Sequence, residues 1–535
     1  MICNDSFLSI FRNCYLRSLI RNNSFKDTVI IIPTLEYLND NHQYLSVLSN
    51  VDKLQYNISI RFKFNSLSNC IKFNSNSHKH LINDIDTFYS GEQELHLGNL
   101  HDQVHILSIC FEQDRPKTVI GKLPESIVEL HINAHSESDF VCLELEEILS
   151  DLPKNLKVLY ISYNFSLSSE DSKIQLPDSL VHLEFSGTRT DFDRFVVNGV
   201  PNRVLKSACL EITSVEDLDW LQDRPWINYI FINEVVPNQI PSHVRQIILS
   251  AGLDDVEAFF QKLPVQLEYL NVSKIKSTQN QQPFVQFFKQ YTPRLKRLSL
   301  VIEGEEDLGK DSCFPDNLEY LNINGYRKEI NGSMLPPNLK TLDLARYNQE
   351  LKVGSFTNTI TDLSASYDGP LKASVLPTQL KRLSFFIFNN RIEPHSLPLS
   401  LTNLQLNQFS GSFEHVGSLD NLRELKIGTL NQSIVDTLAN VKKIKISFYE
   451  IAPNTRFTNT SITDLSLYNL KYYEIKTIPD GFLPPHLVRL LITHFRIKSI
   501  DTIPPSCACF KYNYKNLDTT LIPESVRSIC FLEPF

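Results

Sequence analysis

Glycine is scarce in this chain, with 16 residues in 535. Backbone cradles for phosphate depend on glycine, and no Gly-x-Gly-x-x-Gly or Lys-Ser/Thr phosphate loop occurs; Gly-x-Ser-x-Gly and His-Glu-x-x-His are missing too. No catalytic constellation is therefore expected, and no cofactor. Long apolar runs are also lacking: nothing approaches the roughly 18 to 20 residues needed to cross a bilayer, and no signal-like segment opens the chain. A soluble cytoplasmic protein is the expectation. Charge is not one-sided, because 52 Lys and Arg stand against 61 Asp and Glu for a net −9. That balance argues against nucleic acid or an anionic membrane as partner.

Cysteine pairing is lacking as well. The 10 cysteines are scattered, which fits a reducing compartment. Only Cys507 and Cys509 are close, and alternation places both on one strand face, where core packing is the simplest role. His101 with His105, and His131 with His135, have helical spacing, whereas His78 and His80 fit one strand face. No acidic or cysteine cluster completes a metal site around them, so they read as solvated histidines.

What is present is a recurring phrase. Proline, two residues, leucine, two residues, leucine, one residue, leucine or a substitute appears at Pro336-Leu339-Leu342-Leu344, Pro377-Leu380-Leu383-Phe385 and Pro398-Leu401-Leu404-Leu406. Its first apolar anchors extend from Val104 through Ile127, Leu156, Leu180, Val204, Ile227, Val244 and Leu267 to Leu487 and Val526, most of them about 20–24 residues apart, inside the leucine-rich-repeat range. A doubled gap before Val526 implies a hidden unit near Cys507–Lys511. Longer intervals imply insertions near Glu137–Glu147 and Thr278–Gln290.

Within one phrase, Leu342 and Leu344 point inward from a strand while Thr341 and Asp343 point outward. Leu339 closes the corner. Proline suits the turn that enters the strand because it lacks an N–H and holds its predecessor extended. The fold class is therefore a repeat solenoid: a parallel β-sheet on the concave face, and turns or short helices on the convex side. Its domain is placed at 92–535. Residues 1–91 form a helical and strand capping segment, with a helix over about 6–22, a second after Pro33, and a strand marked by Ile58, Ile60, Phe62 and Phe64.

Between phrases lies a second signature, Tyr347-Asn348-Gln349-Glu350-Leu351, Phe388-Asn389-Asn390-Arg391-Ile392 and Leu430-Asn431-Gln432-Ser433-Ile434. This resembles the FNIP repeat, a divergent leucine-rich repeat of cellular slime moulds, best over Asp316–Phe409. The resemblance implies a leucine-rich-repeat solenoid that binds protein, and carries no catalytic residue across. The aromatic at Tyr326, Tyr347, Phe388 and Phe409 is expected to fill the core.

Outward strand positions share one surface, where Tyr and Arg are residue types favoured at binding hot spots. Tyr269, Arg297, Tyr320, Asp343, Arg382 and Phe386 are the candidate partner-binding residues, and Lys426, Lys443 and Lys445 form a basic patch beyond them. The run Glu303, Glu305, Glu306, Asp307 reads as a solvated turn. The function expected is a protein-interaction scaffold with a protein partner and no metal. The alternative is a ubiquitin-ligase adaptor with a degenerate F-box-like amino terminus, although Phe7–Asn23 is short and lacks the Leu-Pro start of that box.

Overall fold

A computed structural model describes the chain apart from residues 1–12, 65–66, 90–93, 112–117, 135–139, 142, 163–164, 167–172, 199–202, 234–237, 254–255, 277–284, 304–307, 310–313, 514–516 and 532–535. The chain falls into two compact units, Met1–Gln246 and Ile247–Phe535.

The first unit begins with a helix at Cys14–Ser24, where the Asn13 side chain accepts from the Leu16 N–H at 3.1 Å. This satisfies one of the free N–H groups of the first turn. The helix expected over 6–22 is thus met from Cys14 onward, and its earlier part lies outside the described residues. Helices at Leu35–Leu45 and Asn50–Gln55 follow, the latter with a capping box between Ser49 and Asp52. Strands at Val29–Ile32, Ser59–Phe64, Asp84–Tyr89, Ile106–Phe111, Glu129–Ala134, Val158–Ile161, His182–Gly187, Leu205–Ile212 and Ile227–Ile232 pair in that order, all parallel. The ladder of this unit therefore already includes strands from within residues 1–91.

The second unit repeats the arrangement. Strands at Tyr269–Lys276, Arg297–Glu303, Tyr320–Asn324, Thr341–Leu344, Asp362–Ala365, Arg382–Phe385, Asn403–Leu406, Glu424–Leu430, Lys443–Ile451, Asp464–Asn469, Arg489–Thr493, Cys509–Tyr512 and Ser528–Phe531 form one parallel ladder in chain order. Cys509–Tyr512 supplies the unit hidden in the doubled interval. The lengthened interval after Leu267 contains the short helix Gln286–Tyr291, and the one after Ile127 contains Leu143–Ser150.

The proline phrase is a turn. Leu339, Leu380 and Leu401 each donate their N–H to the proline carbonyl three residues back, at 3.2 Å in each case. The next carbonyl contact sets the strand: Thr361 O accepts from Lys381 N and Arg382 N at 2.7 and 3.0 Å, and Lys381 O accepts from Thr402 N and Asn403 N at 2.8 and 3.0 Å. Thus each unit is hung on its predecessor before pairing begins. Leu339, Leu342, Leu344, Leu380, Leu383 and Phe385 have no exposed surface, and each such side chain contributes on the order of 1.5–3 kcal/mol by burial.

The aromatic positions fill the core as expected. Tyr326, Tyr347 and Phe409 are 1% exposed and Phe388 is 0% exposed. Phe388 and Phe409 stack at 5.7 Å, while the Ile330 N–H donates to the Tyr347 hydroxyl at 3.2 Å. Tyr367 occupies the same place and bonds the Pro370 carbonyl at 3.0 Å.

Three expectations are corrected. Val204 is 42% exposed and Leu205 is the buried residue, because the register shifts between Leu205 and Cys209 and Ser207 adopts φ 64°. His131 lies on the strand Glu129–Ala134, not on a helix, and its bond to Glu129 is described below; His135 lies outside the described residues. His105 is 5% exposed, so it is a core residue and not a solvated one. Burial pushes both His101 and His105 down to about 4.

Candidate protein-interaction face

The alternation of the second unit's strands puts their polar side chains on one face, and parallel register lines these up in rows. Tyr269 pairs with Arg297, Arg297 with Tyr320, and Tyr320 with Thr341. The Arg297 guanidinium lies 5.8 Å from the Tyr269 ring centroid and 4.9 Å from that of Tyr320. Such cation–π contacts contribute roughly 0.5–1 kcal/mol at exposed sites. They also hold three large side chains in one orientation, which lowers the ordering cost of binding.

Asp343 sits in the neighbouring row, across from Asn322 and Ser364. It accepts from the Asn322 side-chain amide at 3.3 Å, and its Oδ1 is buried without a hydrogen-bond partner among the described residues. Arg382 is engaged by Asp362 of the preceding strand. Phe386 lies past the end of its strand and is 40% exposed. It lines a separate shallow groove of about 470 Å³ with Asn407, Gly428 and Tyr449.

The structure therefore brings Tyr269, Arg297 and Tyr320 together, sets Asp343 beside them, and places Arg382 and Phe386 further along. Two lysines of the basic patch are paired: Lys443 lies 3.8 Å from Asp464, and Lys445 lies 3.0 Å from Glu424 with its ammonium 5.1 Å from the Tyr468 ring. The face bordering the strands is self-paired in the same way, with Lys296 at 2.9 Å from Glu268 and Lys340 at 2.9 Å from Glu319. Pairs this exposed contribute about 0–1 kcal/mol, yet they cancel charge along the rows. Of the acidic run, Glu305, Glu306 and Asp307 lie outside the described residues. Cys507 is buried, and burial pushes its thiol up to about 11, which suits packing and not reactivity.

Sequence reasoning missed the first unit's outward cluster, in which His131 Nε2 lies 2.6 Å from Glu129 Oε1 and stacks on Tyr160 at 5.6 Å. The signal was available in the register of Glu129-x-His131 with Tyr160. Among the described residues no group of three or more His, Cys, Asp or Glu could hold a metal ion, and no helix is long and apolar enough to cross a membrane.

One turn, one strand and one return per repeat, stacked in parallel register, define each unit as a leucine-rich-repeat solenoid. Within that class, residues 147–188 and 347–386 match the family described as FNIP Repeat. The second segment lies inside the stretch where the sequence phrase is most regular. Among solved structures the chain is similar to CroV588, described as a novel circular LRR protein, at 18% identity over 88% of this chain and 69% of that one, with a TM-score of 0.41. It is similar also to YopM from Yersinia enterocolitica at 18% identity over 84% of this chain and 85% of that one, with a TM-score of 0.31. No curated protein matches the chain.

Proposed function

We propose that the protein is an interaction scaffold whose second unit binds a protein partner through the outward strand face around Tyr269, Arg297, Tyr320 and Asp343. The observation that supports this reading is the Arg297 guanidinium held between two tyrosine rings, beside an Asp343 oxygen without a partner among the described residues. Tyr and Arg lose little freedom when already ordered, and they dominate interface energetics. A repeat surface of in-register strands suits recognition of an extended partner surface.

A photo-crosslinking residue introduced at Ser299, between Asn271 and Asn322 in the register, tests the face in the full chain. The expected outcome is a discrete cross-linked protein whose yield falls at least tenfold when Arg297 and Tyr320 are both changed to Ala. Lys372→Ala, which removes the pair with Glu350 on the return segment, should leave that yield unchanged. Equal loss in both variants, or no discrete product, would defeat the assignment.

A further inference from the structure

A groove lies away from the strand rows, where the return segments of the second unit's later repeats meet. The short strand Lys476–Thr477 pairs with Phe495–Arg496. This pairing, together with the turn after Ile451, assembles a groove of about 530 Å³ lined by Glu450, Arg456, Glu474, Lys476, Asp480 and Arg496. The two arginines are far apart in sequence and share the groove only because successive repeats are stacked.

The charges there do not cancel completely. Glu450 is taken by two lysines, Lys471 and Lys476, and its carboxyl is held below the usual carboxylate range first by the Lys471 bond and then by that of Lys476. Glu474 lies 3.9 Å from Lys471. Asp480 accepts from the Thr502 hydroxyl at 2.8 Å. Arg496, which lines the groove, donates its Nε–H to the Thr477 hydroxyl at 2.9 Å, a bond that steadies the guanidinium plane. Arg456 and Arg496 make no ion pair with an acidic side chain among the described residues. With Glu450 and Glu474 taken by the lysines, the two guanidinium groups share the groove with one further carboxylate, Asp480, that is already hydrogen-bonded.

Ile475 lines the groove, and two tyrosines precede it closely in the chain. Tyr472 and Tyr473 are 73% and 77% exposed, and Ile475 is 39% exposed. The tyrosine rings meet edge-on at 5.6 Å. A bare anion would have no use for these groups, whereas a peptide would lay its apolar side chains along them. Guanidinium forks match carboxylates in bidentate geometry, which an ammonium does not.

We propose that this groove takes an acidic peptide segment of a protein partner, with Arg456 and Arg496 receiving its carboxylates and Tyr472, Tyr473 and Ile475 its apolar side chains. The site is independent of the strand face around Arg297. Anisotropy of a fluorescein-labelled peptide of alternating Glu and Leu, titrated with the full chain at low ionic strength, tests it. The expected result is saturable binding that weakens about tenfold or more in the Arg456→Gln, Arg496→Gln double variant. Lys340→Gln with Lys352→Gln removes the same charge elsewhere and should leave binding within twofold, as should Tyr320→Ala. Circular dichroism should show all variants folded, since both arginines are exposed. Absence of binding, equal loss in the lysine control, or displacement of the peptide by equimolar inorganic phosphate would each overturn the proposal, the last by assigning the groove to a free anion.

Discussion

Phe388 has no exposed surface and lies between Tyr367, stacked at 6.4 Å, and Phe409, at 5.7 Å. Phe388→Ala would open a cavity bounded by neighbouring units that cannot collapse without moving their own turns. The expected cost is about 3–5 kcal/mol, read as a lower denaturation midpoint for the second unit. A smaller, more regular contribution comes from the residue before the corner leucine. The Ser400 hydroxyl lies 2.9 Å from Thr378 O and 2.7 Å from Leu380 O, and Ser179 and Ser506 reach the preceding unit in the same way. Asn338 takes that role through its amide, 2.9 Å from Asp316 O. Ser400→Ala is expected to cost about 0.5–1.5 kcal/mol, the net value of one such bond; an unchanged urea midpoint would remove the bond from the account. Gly428 tolerates no side chain, since a Cβ there would lie 2.7 Å from the Phe409 carbonyl.

At the scale of elements, the turn leading into the strand Ile106–Phe111 carries its own acid sensitivity. Burial lowers the pKa of His101 and His105 to about 4, and the positive charges of Lys79 at His101 and Lys53 at His105 push in the same direction. Unfolded histidine titrates near 6.5, so the folded state binds these protons later than the unfolded chain does. Their contribution is therefore complete above about pH 6.5 and is lost as pH falls toward 4, on the order of 1–3 kcal/mol per histidine. Asp84 works in the opposite sense, because burial raises its carboxyl. The melting temperature should fall between pH 6.5 and 4.5, and His105→Gln should flatten that fall; an equal slope in the variant would rule out His105. The proline–leucine phrase made the corner, the strand and its inward residues legible, because each position there is fixed by a local turn and by alternation. The first unit's early strands were less legible, since helices such as Leu35–Leu45 separate them and hide the period. Val204 was misread for another reason: a register shift cannot be seen in a pattern that assumes constant spacing. Tyr269, Arg297 and Tyr320 could be placed on one face from the phrase alone, but the ion pairs that occupy Lys443 and Lys445 come from side chains of adjacent repeats. Arg456 and Arg496 carried no signal, as only the stacking of return segments brings them together.

For the molecule as a whole, the ladder limits how far a perturbation travels. Among the described residues each ladder strand pairs with those of the repeats beside it, as Asp362–Ala365 does with Thr341–Leu344 and Arg382–Phe385, so stability accumulates from repeat terms and neighbour interfaces. Two compact units, Met1–Gln246 and Ile247–Phe535, further weaken any expectation of all-or-none unfolding. Two-state behaviour would spread the loss from Phe388→Ala over every protected amide. Nearest-neighbour behaviour confines it. Hydrogen exchange of the variant is accordingly expected to quicken in the strands between Thr341 and Leu430, which flank Phe388, while the strands between Ser59 and Ile232 keep their protection. The calorimetric enthalpy should also exceed the van't Hoff enthalpy. Uniform quickening across both units, with the two enthalpies equal, would show instead that the core acts as a single cooperative body and that neighbour coupling dominates the intrinsic stability of each repeat.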